Sequence, residues 1–330
     1  MTAGPFTVKE QDPELVSIVI PVHNADAYIG NCLECVLSQT HDRLQVLLID
    51  DGSTDKSVQI VDDAAARDGR VAAIHQQNAG PAAARNAGLD QVKGAWVMFV
   101  DADDEIEADY VEQMLTVARE DRADIVVSDC MIEEDGVRSR FGMIVPNCCY
   151  EGAAEVYADF MRDHIPWSLW GKLYRGELFS DLRFSEENYI AEDLEANARL
   201  FAKKGIVVST TDGAGYCYHV VAGSIDHSFD ERYLRQFSVF DDVTSRAVEA
   251  GLVAPDLAAV FYERRVLNCF GKAVKADALD KRVSRAFADA IASYRADAIA
   301  CPEAPDWLVR QLRVSRFGMS ALAALYRARG

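Results

Sequence analysis

Three carboxylates fall within four positions, at Asp101, Asp103 and Asp104, directly after a short apolar run. Carboxylates this close together cannot all be withdrawn from water unless a cation balances their charge. Hard divalent ions prefer oxygen ligands, and Mg²⁺ or Mn²⁺ typically combines one or two carboxylates with substrate phosphate oxygens. The cluster therefore predicts a metal site that holds a diphosphate. The alternative is a solvated acidic turn that caps the helix expected at Asp109.

A second acidic pair, Asp50 and Asp51, also follows an apolar run and precedes a Gly-Ser-Thr segment. These carboxylates can accept hydrogen bonds from the base N–H groups or the ribose hydroxyls of a nucleoside. The same residue types suit a turn with helix-capping chemistry, which is the alternative interpretation.

A glycine and an arginine form the third candidate group. Gly80 lets the backbone approach a ligand, and the helix that follows presents its N-terminus to an anion. Arg85 lies about one turn inside that helix, where it can reach a nucleotide base or phosphate. Otherwise it is a surface arginine on a helix of small residues packed against a sheet.

The fourth group is Glu192 and Asp193, at the start of an amphipathic segment. A carboxylate in the first turn of a helix stays ionised because the helix dipole favours the anion. Such a group can accept the proton of a hydroxyl, provided that it reaches the oxygen. An ordinary first-turn acid is the alternative.

The elements that position these groups alternate regularly over the first 130 residues. Strands separated by helices of this size form right-handed βαβ units and a mostly parallel sheet, in which ligands bind beyond the carboxyl ends of the strands. The acidic clusters follow the second and fourth strands, which predicts that they lie at the same edge. The predicted strands are 16–21, 44–49, 71–75, 95–100 and 124–128, and the predicted helices are 26–39 (capped by Asn24 or Asp26), 56–66, 81–89 and 109–119.

Beyond residue 130 the alternation ends. We expect three parts: an N-terminal tail (1–14), an α/β domain (15–225) and a helical C-terminal region (226–330). Within the second of these, the patterns predict a hairpin or loop at 131–150, a helix-rich stretch containing 167–174, a helix at 189–201 and a strand at 207–219.

Composition and net charge indicate which partners, cysteine chemistry and cellular compartment to expect. The 330 residues include 34 basic and 53 acidic side chains, a net charge of −19 that disfavours nucleic acid and anionic lipid. Among eight cysteines, Cys32 and Cys35 have the CxxC spacing, but no second pair or nearby histidine pair completes a zinc set, so buried thiols are expected. The polar start of the chain and the lack of a long apolar run predict a cytoplasmic protein with reduced thiols.

Six segments together resemble the family 2 glycosyltransferases, which have the GT-A fold. They are SIVIPVHN (17–24), LLIDDGSTDKS (47–57), QNAGPAAARNAGL (77–89), WVMFVDADD (96–104), WGKLYR (170–175) and AEDL (191–194). Their order and spacing follow the family over about residues 15 to 220. The resemblance implies an α/β GT-A domain with a helical C-terminal extension.

The resemblance also implies an inverting transfer from a nucleotide sugar, with Asp193 as the base that deprotonates the acceptor. Asp103 would be the direct metal ligand, with Asp101 and Asp104 beside it. His23 stands where many relatives carry a tyrosine next to the base. The donor residues implied are Pro21, His23, Asn24, Asp50, Asp51, Gly80, Arg85, Asp101 and Ala102, and those implied near the acceptor or diphosphate are Trp170, Lys172, Glu192 and His219, with His227 an alternative to His219.

The implied donor is a nucleotide sugar; UDP is the commonest donor nucleotide in the family, and dTDP and GDP remain open. The implied acceptor is a saccharide or lipid-linked saccharide of a surface polysaccharide. Two other classes remain: a non-catalytic nucleotide-sugar scaffold, and a phosphohydrolase with an aspartate nucleophile at 101–103. Such hydrolases usually carry that motif on the first strand, and they would leave Asp50 and Asp51 unexplained.

The C-terminal segment 306–330 is a basic stretch in an acidic chain. Its apolar residues, which include Trp307, Phe317 and several leucines, could insert into a membrane surface or pack on the rest of the helical region. Gly318 argues against a single unbroken helix. The helical region could also provide a homodimer surface.

Overall fold

The computed structural model describes residues 12–187, 190–221, 229 and 231–328. These fall into two compact units. The first takes the described residues up to Gly152 together with Pro166–Val221, and the second takes Ala153–Ile165 together with the described residues beyond 222. Most of the predicted tail, His227 and most of the predicted boundary at 226–230 lie outside the described residues.

The first unit is built on one sheet, whose described strands run in the order β3-β2-β1-β4-β9-β6-β10-β5, with β7 beside β6 and β8 beside β10. The strands are β1 (Val16–Val22), β2 (Leu44–Asp51), β3 (Val71–Gln76), β4 (Trp96–Phe99), β5 (Glu105–Ile106), β6 (Ile125–Glu134), β7 (Val137–Arg140), β8 (Cys149–Glu151), β9 (Lys172–Arg175) and β10 (Val207–His219).

Helices cover this sheet and make up the second unit. They are α1 (Ile29–Leu37), α2 (Ser57–Arg67), α3 (Pro81–Leu89), α4 (Tyr110–Glu120), α5 (Ala153–Met161), α6 (Glu192–Phe201), α7 (Gln236–Glu249), α8 (Pro255–Lys275), α9 (Lys281–Ala300), α10 (Asp306–Ser315) and α11 (Met319–Arg327). Of these, α1 to α4 and α6 belong to the first unit. Two short 3-10 helices, Gly176–Phe179 and Glu231–Arg235, complete the described elements.

The predicted parallel arrangement is confirmed. Strands β1, β2, β3 and β4 pair in parallel, and so do β6 and β10. Alternate residues of β1 face α1, where Cys32 is buried among apolar side chains and Cys35 is half-buried. Strands β1, β2 and β4 are buried on both faces, which explains why they read as continuous apolar runs.

Two local predictions are wrong, and one short strand was missed. The stretch 167–174 is not helical, because Leu173 and Tyr174 are held in β9, antiparallel to both β4 and β6. The first helix begins at Ile29 rather than near 26, since Asn24 has a φ of 49° and its Oδ1 accepts a hydrogen bond from the backbone N–H of Thr54. The two-residue strand β5 was too short to be recognised.

The second unit is helical, and it also contains α5, which the predicted boundaries assigned to the α/β domain. The buried face of α5 explains this, because its Phe160 ring lies 5.8 Å from the ring of Phe261 on α8. Arg264 and Arg265 both pair with Asp163, which follows that helix.

The basic C-terminal segment forms two helices that meet at Gly318, whose φ of 99° favours glycine. Leu308, Leu312 and Leu322 are fully buried and Leu325 is half-buried, whereas Trp307 and Phe317 are exposed. Packing therefore accounts for the leucines. None of the helices in the described part of the chain is both long and apolar enough to cross a membrane.

Candidate active site

The acidic pairs of the sequence, with Gly80 and Arg85, gather where β1, β2 and β4 end, whereas Trp170 and His219 lie at β10. Asp51 organises one side of this edge. Its Oδ1 accepts hydrogen bonds from Gln76 Nε2 at 2.7 Å and the backbone N–H of Ala79 at 2.8 Å, and its Oδ2 accepts from Gly80 N–H at 2.8 Å. Asp51 therefore holds the loop that carries Gly80, whose φ is 91°.

Asp50 is held by different partners, Ser53 and His75. Its Oδ1 accepts a hydrogen bond from Ser53 N–H at 3.1 Å, and its Oδ2 lies 3.0 Å from His75 Nδ1, whose Nε2 is 2.9 Å from Asp62. These two bonds raise the pKa of His75, with Asp50 the larger cause. Burial opposes the ionisation of Asp50, yet the hydrogen bonds from His75 and Ser53 lower its pKa.

His23 is an exposed ring with a defined tautomer. Its Nδ1 lies 2.8 Å from the backbone carbonyl oxygen of Asp51, which can only accept, so Nδ1 carries the proton. Its Nε2 then accepts from the side-chain amides of Asn78 at 3.1 Å and Asn24 at 3.2 Å. The ring edge is thus occupied, and the ring faces are left for stacking.

Arg85 occupies the centre of the acidic site. It is 6% exposed, which excludes the surface interpretation. Nη1 lies 2.7 Å from Glu192 Oε1 and 3.3 Å from Asp193 Oδ1, and Nη2 lies 3.4 Å from Asp101 Oδ1. One cation from α3 therefore joins the acids that follow β4 to those that open α6.

The two acids of α6 differ in accessibility. The Glu192 side chain is 8% exposed and that of Asp193 is 22% exposed. Burial raises the pKa of Asp193, the Arg85 charge opposes this rise, and the Asp101 charge adds to it. Burial, together with the Asp193 charge, also raises the pKa of Glu192. Asp193 is thus the more accessible carboxylate and a stronger base than an ordinary aspartate.

Asp104 is separated from its two neighbours in the predicted metal cluster. It has no exposed surface; its Oδ2 accepts a hydrogen bond from Tyr216 OH at 2.6 Å and its Oδ1 from His219 N–H at 2.9 Å. The structure therefore assigns Asp104 to the core. The Tyr216 hydroxyl also accepts a hydrogen bond from Asp101 N–H at 3.3 Å and so supports the loop. The sequence motifs did not indicate this role of Tyr216.

Asp101 and Asp103 are the carboxylates of this loop that reach solvent. Burial raises the pKa of Asp103 to about 6, and the charge of Asp101 adds to the shift. A divalent cation would relieve this repulsion, and two carboxylates suit Mg²⁺ or Mn²⁺. The residues present therefore fit the metal that the motif implies. Ala102, between them, is buried.

Lys172 is buried rather than presented to a substrate. Its Nζ donates to the backbone carbonyl of Ser168 at 2.5 Å. Burial lowers its pKa to about 7, against the nearby charge of Asp193. Asn197, which motif reading missed, donates to the carbonyls of Trp167 at 2.8 Å and Asp193 at 3.2 Å. Lys172 and Asn197 thus position the segment that precedes β9 beside Asp193.

Trp170 forms part of an aromatic stack. Its ring centroid lies 5.2 Å from that of Tyr216 and 5.4 Å from that of Tyr218, with interplanar angles of 13° and 12°. Tyr216 and Tyr218 share a face of β10 because side chains alternate along a strand. His219 lies on the opposite face, with its Nε2 3.8 Å from Glu133 and 3.9 Å from Glu105.

Comparisons with known proteins identify the family and the fold. Residues 17–168 match the model of glycosyl transferase family 2. Glycosyltransferase GlyG of Streptococcus pneumoniae is 31% identical over 251 residues, which cover 72% of this chain and 82% of GlyG. Glycosyltransferase GlyA of the same organism is 31% identical over 227 residues, 66% of this chain and 32% of GlyA. This chain therefore spans about a third of GlyA.

Among solved structures, Staphylococcus aureus TarS 1–349 in complex with UDP-GlcNAc has a TM-score of 0.69 and 18% identity, covering 95% of this chain and 91% of TarS 1–349. At that identity the likeness concerns the fold alone. It confirms the predicted α/β class with helices at the C-terminal end.

Proposed function

This chain belongs to glycosyl transferase family 2, and on that premise we propose that it transfers a sugar, with inversion, from a nucleoside diphosphate donor to an acceptor hydroxyl. The observation that carries the proposal is the Arg85 bridge from Asp101 to Asp193. It brings a candidate metal ligand and a candidate base to the two sides of one buried cation.

The donor would occupy the edge where β1, β2 and β4 end. We assign stacking on the nucleobase to His23 and hydrogen bonding to the nucleoside to Asp50 and Asp51. UDP is the proposed nucleotide, since the TarS fragment of similar fold is bound to UDP-GlcNAc. The wall of this site would be formed by Pro21, Asn24, Gly80 and Ala102.

Asp103 and Asp101 would hold Mg²⁺ or Mn²⁺ together with diphosphate oxygens. A mannosyltransferase from Pyrobaculum calidifontis, with a TM-score of 0.51, is bound to GDP-Man and Mn²⁺. The ion would supply positive charge to the leaving diphosphate. Asp104 would support the loop from the core.

Asp193 would take the proton of the acceptor hydroxyl as that oxygen bonds to the anomeric carbon and the bond to the diphosphate breaks. A single displacement of this kind inverts the configuration. Arg85 keeps the Asp193 carboxylate ionised, because a neighbouring cation favours the charged form. Glu192, less exposed, would hold Arg85 in place.

We assign the acceptor to the side of Trp170, whose partly buried ring suits the apolar face of a sugar. The proposed acceptor is a saccharide or a lipid-linked saccharide of a surface polysaccharide. If the acceptor lies in a membrane, the exposed Trp307 and Phe317 are the side chains through which the C-terminal helices would contact that surface.

The test separates donor binding from turnover. Nucleotides that bind the folded chain should raise its melting temperature, and UDP should do so only with Mn²⁺ present and not with EDTA. Asp193→Asn should keep this shift and lose about 10²–10⁴-fold in turnover of UDP-sugars. Asp103→Asn should lose the metal-dependent part of the shift. Asp109→Asn, an exposed acid near the same loop, is the matched control and should behave as the wild type.

Two results would overturn the proposal. If no nucleoside diphosphate stabilises the wild type with Mn²⁺, the chain is a scaffold that lacks a donor site. If Asp193→Asn turns over as fast as Asp109→Asn, the base is another residue.

A further inference from the structure

Strand β10 is paired on both sides, and the pairing brings four ligand-type side chains to one face. On one side His219 is in register with Glu133 of β6, and on the other Cys217 is in register with Glu105 of β5. Residues two apart on a strand share a face, and so do residues directly opposite on neighbouring strands. The four side chains therefore project from the same side of the sheet, away from Trp170 and its tyrosines.

Their atoms lie at distances that suit a metal ion. The ligand atoms of Glu133, Cys217 and His219 all lie within 4.8 Å of one another. His219 Nε2 is buried and has no hydrogen-bond partner, with carboxylate oxygens of Glu133 and Glu105 at 3.8 and 3.9 Å. Around a tetrahedral Zn²⁺, nitrogen and oxygen ligands stand about 3.3 Å apart, so small side-chain movements would close this group of three. Glu105, 3.9 Å from His219 Nε2, would then complete it.

We infer that Cys217, His219 and Glu133, with Glu105 as the fourth ligand, bind Zn²⁺ at a site separate from the Asp101–Asp103 metal site. One thiolate, one imidazole and carboxylates form a donor set that suits zinc. On binding, the Cys217 S–H bond breaks, the proton leaves to solvent and the sulfur bonds to the metal, with no change of oxidation state. Four protein ligands make this a structural site rather than a catalytic one.

The zinc site would stabilise the loop that carries Asp101, Asp103 and Asp104. Strand β5 begins at Glu105, directly after Asp104, so an ion shared by β5, β10 and β6 would tie the acidic loop to the sheet.

Arg138 competes with the metal for the same acids. Its Nε donates to Glu133 Oε2 at 2.5 Å and its Nη2 to Glu105 Oε2 at 3.2 Å. The Arg138 side chain is 46% exposed and lies on the edge strand β7, so it can swing out when an ion binds. Its guanidinium pairs with both carboxylates. Binding of the metal must displace it.

The experiment uses Co²⁺ as a spectroscopic substitute for zinc in the full chain. Co²⁺ bound to a thiolate gives an intense charge-transfer band in the near ultraviolet, which carboxylate ligands at Asp101 and Asp103 do not produce. We expect one equivalent of Co²⁺ to develop this band and Zn²⁺ to abolish it. The band should vanish in Cys217→Ser and persist in Cys149→Ser, an exposed cysteine that serves as the control.

Arg138→Ala should bind Co²⁺ about tenfold more tightly, because a competing cation is removed. A His219→Gln variant, which keeps the sulfur, should weaken binding at least tenfold and is the second test should Cys217→Ser fold poorly. The inference is overturned if the wild type gives no thiolate band, if the band survives in Cys217→Ser, or if Arg138→Ala weakens binding. None of these readouts depends on transfer of a sugar.

Discussion

Arg85 Nη1 lies 3.3 Å from Asp193 Oδ1, so the carboxylate proposed as the base is paired with a cation that is itself buried. The same guanidinium also contacts Glu192 and Asp101. A buried cation with three carboxylates around it controls both the stability of the site and the charge of Asp193.

The first prediction concerns the loss of that charge. Arg85→Met leaves three carboxylates close together without their cation, and the free energy of unfolding at pH 8 should fall by about 3–5 kcal/mol. Arg67→Met is the control, because the side chains of Arg67 and its partner Asp63 are 80% and 52% exposed and such pairs contribute about 0–1 kcal/mol. Urea denaturation measures both. Equal losses in the two variants would mean that the Arg85 pair is no stronger than a surface ion pair.

The second prediction concerns the pH dependence of turnover. Burial raises the pKa of Asp193 and Arg85 counteracts this rise, so removing the cation should raise the pKa further. On the proposed mechanism, turnover requires Asp193 to be ionised and falls as pH drops through this pKa. The acidic limb of kcat/KM against pH should therefore move to higher pH in Arg85→Met and stay close to the wild-type position in Arg85→Lys, which keeps the charge. If the acidic limb does not move in Arg85→Met, that limb does not report the ionisation of Asp193.

A pair of glycine substitutions tests the packing of α3 against the sheet. A Cβ at Gly88 would stand 2.4 Å from Val19 Cγ1 of β1, a clash inside the core. Gly88→Ala should therefore destabilise the protein by about 1–3 kcal/mol, despite the better helix propensity of alanine. At Gly30, in α1, a Cβ meets nothing within 4 Å. Gly30→Ala should stabilise by up to about 1 kcal/mol. Melting temperatures that change in the same direction would refute the packing argument.

The fourth prediction lies in the second unit, at Glu263 of α8. Its side chain has no exposed surface, neither carboxylate oxygen has a hydrogen-bond partner, and burial raises its pKa to about 9 against the nearby charge of Arg295. The folded chain thus holds a proton that the unfolded chain, with a pKa near 4.5, releases. Stability from this group is fully present below that lower pKa and is lost as pH rises through 9.

Glu263→Gln has no side-chain group that titrates in this pH range. Between pH 5 and pH 8 the wild type should lose about 2–4 kcal/mol more of its free energy of unfolding than the variant does. Glu249→Gln, at an exposed position of α7, is the control and should follow the wild type. Denaturation curves at the two pH values decide the matter, and parallel losses in wild type and Glu263→Gln would show that Glu263 is ionised when folded.

The alternation of strands and helices before residue 130 could be predicted from the sequence because it depends on local features. Strand β10 and helix α3 were predicted with the bounds they have, since β-branched and aromatic residues, or a proline at a first helical turn, lie within the segment itself. The motifs at the edge where β1, β2 and β4 end could be recognised for the same reason. Each is a short string at the end of a strand, where ligands of parallel sheets bind.

Tertiary structure decided the rest. Four residues, Lys172–Arg175, form β9 only because β4 and β6 lie on both sides of them. Arg85 meets Asp193 across 108 positions of sequence, and Asp104 turns into the core because Tyr216 is there to donate to it. Cys217, His219 and Glu133 converge through the register of β6 with β10. A single chain position carries no information about its partners across a sheet, because strand pairing and burial of charge depend on the whole packed unit.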